Sequence, residues 1–150
     1  MEKILSAPFL VFLPMLISIL VISPLFKSNE VILRRFAKGF CALHFLYAVL
    51  MLGFYNPANI YTSEIHFLGM DWIQSLGIKF IFRIDTVSMI LSALTSFVFM
   101  ASIIASKYNI RKNHKFYYSM QFLLMSAILG IFTSGDMFLF FLFWELEMNR

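Results

Sequence analysis

Apolar residues in this chain gather into blocks about as long as a bilayer is thick, and that restricts the fold more than any single residue does. With hydrophobic residues at 61%, including 19 Phe and 10 Met, a soluble fold of 150 residues would leave large apolar patches in water. Charged residues make up 13%, against a soluble norm of ~25%. A membrane protein is the class that fits. The net charge of +4 is no nucleic-acid signature, because the basic residues lie mainly in two short loops between apolar blocks. The single cysteine, Cys41, excludes an intrachain disulfide framework and reads as a small packing residue in a helix.

The expected architecture is an all-α membrane protein with four complete transmembrane helices and a truncated fifth. The spans are about 4–26, 36–55, 86–106, 116–133 and 137–150, the last incomplete. The first is too long for a signal-peptide core and lacks a small-residue cleavage site, so it reads as retained. Pro14, near its middle, should kink it. Asn56-Pro57 ends the second. Residues 56–85 differ in kind. Lys79/Ile81/Arg83 alternate with Phe80/Phe82/Ile84, a period of two that signals a strand, with Ile65–Leu68 or Trp72–Gln74 as partner in a short β-hairpin. Trp72 also suits an interfacial aromatic belt. Asp85 is the expected N-cap of span three, with Thr86 the competing choice, and Asp136 that of span five.

Orientation follows from the bases. Lys27, Arg34, Arg35 and Lys38 flank one connection, and Lys107, Arg111, Lys112 and Lys115 the other. Both fall on one side, which should be cytoplasmic, leaving the N-terminus external. Span five then enters from outside at Asp136 and meets Glu145 nine residues later. That is ~13.5 Å of helix, close to the centre of a ~30 Å hydrocarbon layer. A charge there costs at least ~2.5–3.5 kcal/mol, and such residues mark ion or proton routes. The competing reading is a neutral, hydrogen-bonded structural carboxyl. Glu145 is expected to face the bundle interior, and Glu147, ~200° further round the helix, a different surface.

Other polar residues read more quietly. Ser88, Ser92, Thr95 and Ser96 share one face of span three, which favours close helix packing over a water-lined route. His44 reads as a tolerated polar residue near the membrane surface in preference to a proton relay. With His66 and His114 in opposite loops there is no metal-ligand spacing, and no phosphate loop, Cys-x-x-Cys or Ser/His/Asp set occurs.

The stretch Trp72…Gly77-Ile-Lys-Phe-Ile-Phe-Arg-Ile-Asp-Thr-Val-Ser88, the basic loop, Phe116-Tyr-Tyr, and above all Gly130-Ile-Phe-Thr-Ser-Gly-Asp-Met-Phe-Leu-Phe-Phe-Leu-Phe-Trp-Glu145 resemble the N-terminal part of a known family. It is subunit M of the bacterial proton-pumping NADH:quinone oxidoreductase, whose mitochondrial relative is subunit 4 of complex I. The resemblance implies that residues 1–150 are the start of one antiporter-like transmembrane domain of about fourteen helices, built from two inverted repeats. It implies no cofactor in this chain, with flavin, iron–sulfur clusters and quinone held elsewhere in the complex. It implies other membrane subunits and the lipid bilayer as partners, no nucleic acid, and a multi-pass location in the bacterial inner membrane. The family's helix-five glutamate, which pairs with a lysine on helix seven and modulates proton translocation, maps onto Glu145. The chain departs from the family after Trp144-Glu145, ending Glu147-Met-Asn-Arg150, and the 150 residues alone are expected to be inactive. A membrane subunit of a cation/proton antiporter or membrane-bound hydrogenase shares that acid, and a truncated, nonfunctional membrane product is the third reading.

Overall fold

The computed structural model describes residues 2–24, 29–54, 64–73, 77–106 and 113–148. Among them are five helices and one hairpin: α1 Glu2–Ile22, α2 Glu30–Phe54, β1 Glu64–Ile73, β2 Ile78–Arg83, α3 Thr86–Ala105, α4 His114–Thr133 and α5 Met137–Met148. Three of the helices are long and apolar enough to cross a membrane, over Glu30–Gly53, Thr86–Ala105 and His114–Thr133. The apolar part of α1, Pro8–Ile22, is shorter. Twenty residues of helix give ~30 Å, the hydrocarbon thickness. The 12 residues of α5 give ~18 Å.

Helix α2 starts six residues before the expected position 36. The polar run from Glu30 to Lys38 looks like a loop by hydropathy, yet it carries local helix chemistry. Asn29 Oδ1 accepts from the Val31 amide at 3.1 Å, and Arg34 Nη2 donates to Glu30 Oε1 at 2.7 Å, an i,i+4 pair. Helix α4 likewise begins two residues early, at His114. The ends expected for span two at Asn56-Pro57, for the two basic loops and for span five beyond Met148 lie outside the described residues, as does the side chain of Trp72.

The hairpin forms as the alternation requires. β1 and β2 are antiparallel, with Glu64 opposite Arg83, Ile65 opposite Phe82, His66 opposite Ile81, Asp71 opposite Lys79 and Ile73 opposite Ile78. Both proposed partner segments thus contribute to one longer strand, whose register shifts between His66 and Ile73. Phe82 is fully buried, its ring edge-on to Phe12 of α1 at 5.8 Å.

In the bundle α1 packs on α4, α2 on α3, and α4 on both α3 and α5. Its interior is built from Leu10, Leu33, Met89, Tyr118, Phe122, Met125 and Leu129. Cys41 is buried among them, as expected of a packing residue. Tyr118, near the start of α4, is wholly buried. Large apolar side chains cover the outside, among them Leu16, Leu43, Val87, Leu94 and Phe141. Such a surface suits lipid, where exposed apolar side chains carry no penalty, and not water.

Because lipid supplies no hydrophobic force between helices, packing and hydrogen bonds must hold them. Helices α1 and α4 are joined by a reciprocal serine pair: Ser18 Oγ donates to the Ser119 carbonyl at 2.8 Å and Ser119 Oγ to the Ser18 carbonyl at 3.0 Å. Ser126 Oγ adds a bond to the Val11 carbonyl at 2.7 Å. At one end of the bundle Lys115 Nζ reaches the Ser23 carbonyl at 3.3 Å, and His114 Nε2 lies 3.3 Å from Glu30 Oε2. The residues flanking both basic loops therefore meet at one end. The hairpin and the α4–α5 turn occupy the other.

Candidate functional site

Glu145 is carried by α5, so what seats α5 positions the carboxylate. The three-residue turn before it is fastened to the hairpin. Ser134 bridges Phe82, and the Gly135 amide donates to the Ile81 carbonyl at 2.8 Å. A Cβ at Gly135 would lie 3.0 Å from that carbonyl oxygen, tighter than side chains normally tolerate. Asp136 then caps the helix: its Oδ1 accepts from the Phe138 amide at 2.7 Å and its carbonyl from the Phe140 amide at 2.9 Å. Further along, Gly130 of α4 admits the ring of Phe143, which a Cβ would meet at 2.4 Å. Leu139 and Phe143 are the buried residues of α5.

From this seating Glu145 is exposed on α5, not turned inward as expected, because Leu139 and Phe143 take the buried face, and Glu147 is half-buried. Both border one groove of about 780 Å³ between α4 and α5, lined mainly by Phe116, Met120, Leu123, Leu124, Leu142 and Leu146. The expectation that the two acids would serve separate surfaces is thus corrected. Although ~200° apart by helical angle, they sit in the last turns, where the groove wraps the helix. The groove's other polar groups are Tyr117 and Gln121, whose Nε2 donates to Tyr117 Oη at 3.2 Å and to Ser102 Oγ at 3.1 Å. Among the described residues no basic side chain lines this groove, and no group of three His, Cys, Asp or Glu could hold a metal.

The capping of α3 follows the sequence closely. Asp85 Oδ1 accepts from the Ser88 amide at 2.6 Å and Ser88 Oγ accepts from the Asp85 amide at 2.9 Å, a reciprocal box. The hydroxyl face of α3 is buried throughout, from Ser88 through Ser92 and Thr95 to Ser96. Much of it bonds back to its own helix, Thr95 to the Leu91 carbonyl and Ser96 to the Ser92 carbonyl. That supports the packing reading.

His44 is placed quite otherwise than its sequence position suggested. With α2 beginning at Glu30, it stands in mid-helix and is 1% exposed. Its Nε2 lies 3.0 Å from the Leu10 carbonyl of α1 and its Nδ1 lies 3.1 Å from Ser96 Oγ of α3. One signal for this was present. Pro14 has no amide hydrogen, so the carbonyl four residues earlier, Leu10, must find another donor. Which donor it finds was not readable from a pattern, because His44 is 34 residues away.

A bundle of lipid-compatible helices with polar clasps inside and two acids on a short fifth helix defines a multi-pass membrane protein. No family model matches the chain. Individual proteins do. Chain 4 of the NAD(P)H-quinone oxidoreductase of the Chara vulgaris chloroplast is 33% identical over 143 residues, covering 88% of this chain and 28% of that protein. NADH-quinone oxidoreductase subunit M of Buchnera aphidicola subsp. Baizongia pistaciae (strain Bp) is 32% identical over 151 residues, covering 91% and 28%. The chloroplast chain 4 of Mesostigma viride is 32% identical over 141 residues, covering 93% and 27%. The chain is thus a relative, over nearly its whole length, of subunit M or chain 4 of the quinone oxidoreductases, as its motifs implied. It spans little more than a quarter of these relatives' length.

Proposed function

We propose that residues 1–150 are the N-terminal part of the proton-translocating membrane subunit of an NADH:quinone oxidoreductase. In this reading the redox centres and quinone belong to other subunits, and this chain helps turn electron transfer into proton movement across a bacterial inner membrane. The observation that carries it is homology along some nine-tenths of the chain to proteins named for that enzyme. The same homology favours this reading over an antiporter or hydrogenase subunit. Glu145, set in mid-membrane on α5, is the proposed proton-handling group. The groove beside it is apolar apart from Tyr117, Gln121 and the two acids, which supports a carboxylate whose charge is governed by a later element of the subunit. Deleting the gene in its host should abolish NADH-driven, quinone-dependent acidification by inverted membrane vesicles. Undiminished acidification would sink the proposal.

The membrane arrangement is part of it: four complete spans and a fifth, one antiporter-like domain, an external N-terminus, and a cytoplasmic end where the flanks of the basic loops meet. Its support is the shared end formed by Ser23, Glu30, His114 and Lys115. Single cysteines at Ser63 and Asn113, in a Cys41→Ala background, should label from opposite sides of sealed vesicles with a membrane-impermeant maleimide. Labelling of both from one side refutes the orientation.

A further inference from the structure

A second group able to hold a proton lies in the bundle, away from Glu145. His44 is enclosed by three helices, and each ring nitrogen has an oxygen within hydrogen-bonding distance. The Leu10 carbonyl is an obligate acceptor, since Pro14 denies it the usual helical donor. Nε2 must therefore carry a hydrogen and donate to it. Nδ1 faces a hydroxyl with a choice. Ser96 Oγ is 3.1 Å from Nδ1 and 2.9 Å from the Ser92 carbonyl, and it has one hydrogen to give.

Two proton counts fit this one arrangement of heavy atoms. In the neutral ring, Ser96 donates to Nδ1. When a proton adds to Nδ1, the new N–H donates to Ser96 Oγ, and the Ser96 hydrogen turns to the Ser92 carbonyl. Charge rises by one, every hydrogen bond of the ring is kept, and a single hydroxyl rotation does the work. Most buried histidines are satisfied in one protonation state; this one is satisfied in both.

A separate observation points the same way. Ser92 Oγ is buried, on the face of α3 shared with Ser96, and has no hydrogen-bond partner. A wholly buried hydroxyl left unpaired costs about 1–3 kcal/mol. It stands one turn nearer the α3 N-terminus, where Ser88 bonds to Asp85. Ser88, Ser92 and Ser96 thus stand at successive turns of one buried face of α3, between its exposed cap and the imidazole. Among the described residues, Tyr47, whose ring centroid is 6.4 Å away, and Cys41 are titratable groups near His44 on its own helix. Between Pro8 and Pro24 α1 has no charged residue, α3 has none, and α4 presents Phe122 to Phe40 beside it.

We propose that His44, with Ser96, is a proton-holding site inside the bundle. The proposal does not rest on the role of Glu145. To test it, the chain is labelled with ¹⁵N-histidine and reconstituted in lipid bilayers, with His66→Gln and His114→Gln leaving His44 as its one imidazole. On acidification from about pH 8 to about pH 5, the ring nitrogens should pass from distinct neutral-tautomer shifts to the paired shifts of an imidazolium. The Leu10 carbonyl resonance should stay that of a bonded acceptor. Ser96→Ala, which removes the acceptor for Nδ1–H, should lower the imidazolium-to-neutral ratio about tenfold or more at fixed pH, as expected when a charged group loses a hydrogen bond. A ring that stays neutral over that range overturns the proposal. So does a titration unchanged by Ser96→Ala, or one that releases the Leu10 carbonyl.

Discussion

Glu145→Gln in a complete subunit should leave electron transfer to artificial acceptors nearly intact while proton pumping per electron falls at least about tenfold. The magnitude lies below the roughly 10²–10⁴-fold that a proton-transferring side chain typically contributes. Glutamine keeps the size of the side chain and a hydrogen-bonding end but cannot titrate, so assembly should survive. The seating of α5 depends on other residues, on Asp136 at its cap, Gly135 against Ile81 and Phe143 against Gly130, none of which the substitution touches. Glu147→Gln is the informative control because Glu147 borders the same groove. It lies ~3 Å further along the helix, outside the Asp136-to-Glu145 motif, and should lose much less. The readout is the proton-to-electron ratio in sealed vesicles for both variants. Normal pumping by Glu145→Gln, or an equal loss in Glu147→Gln, would remove Glu145 from the coupling role.

Local chemistry was legible in the sequence, and partnership was not. The caps at Asp85 and Asp136 could be read because a capping side chain and its amide are two or three residues apart. The strand around Ile81 could be read because its signal is a period of two. The start of α2 was missed because hydropathy marks where a helix is apolar, not where it begins. The Asn29 cap and the Glu30–Arg34 pair extend the helix beyond its apolar part. The place of His44 was missed for a further reason. A histidine's value inside a membrane depends on what faces it, and here its partners come from α1 and α3. For Glu145 depth along a helix follows from residue spacing, while only the structure put Glu147 on the same groove.

Gly130→Val should be among the most damaging single substitutions in the described part of the chain, despite the usual gain from removing a helical glycine. Glycine in a helix interior is about 1 kcal/mol worse than alanine by propensity, so at an open position the change to alanine stabilises. Here the new Cβ would stand 2.4 Å from the Phe143 ring, and Phe143 is 7% exposed, with little room to retreat. Overpacking of that kind costs about 1–3 kcal/mol, which outweighs the propensity gain even for alanine. Valine adds two methyl groups and should cost about 3 kcal/mol or more. The strain can be relieved only by moving α5 off α4, which shifts Glu145 two residues beyond the contact and opens the groove. The second-site change Phe143→Ala makes room for the valine and should restore much of the loss, though each substitution alone destabilises. Thermal unfolding of the four proteins in one detergent measures this as a double-mutant cycle. Additive losses would show that Gly130 and Phe143 do not seat α5 together, and with that the structural reason for Glu145's position would be gone.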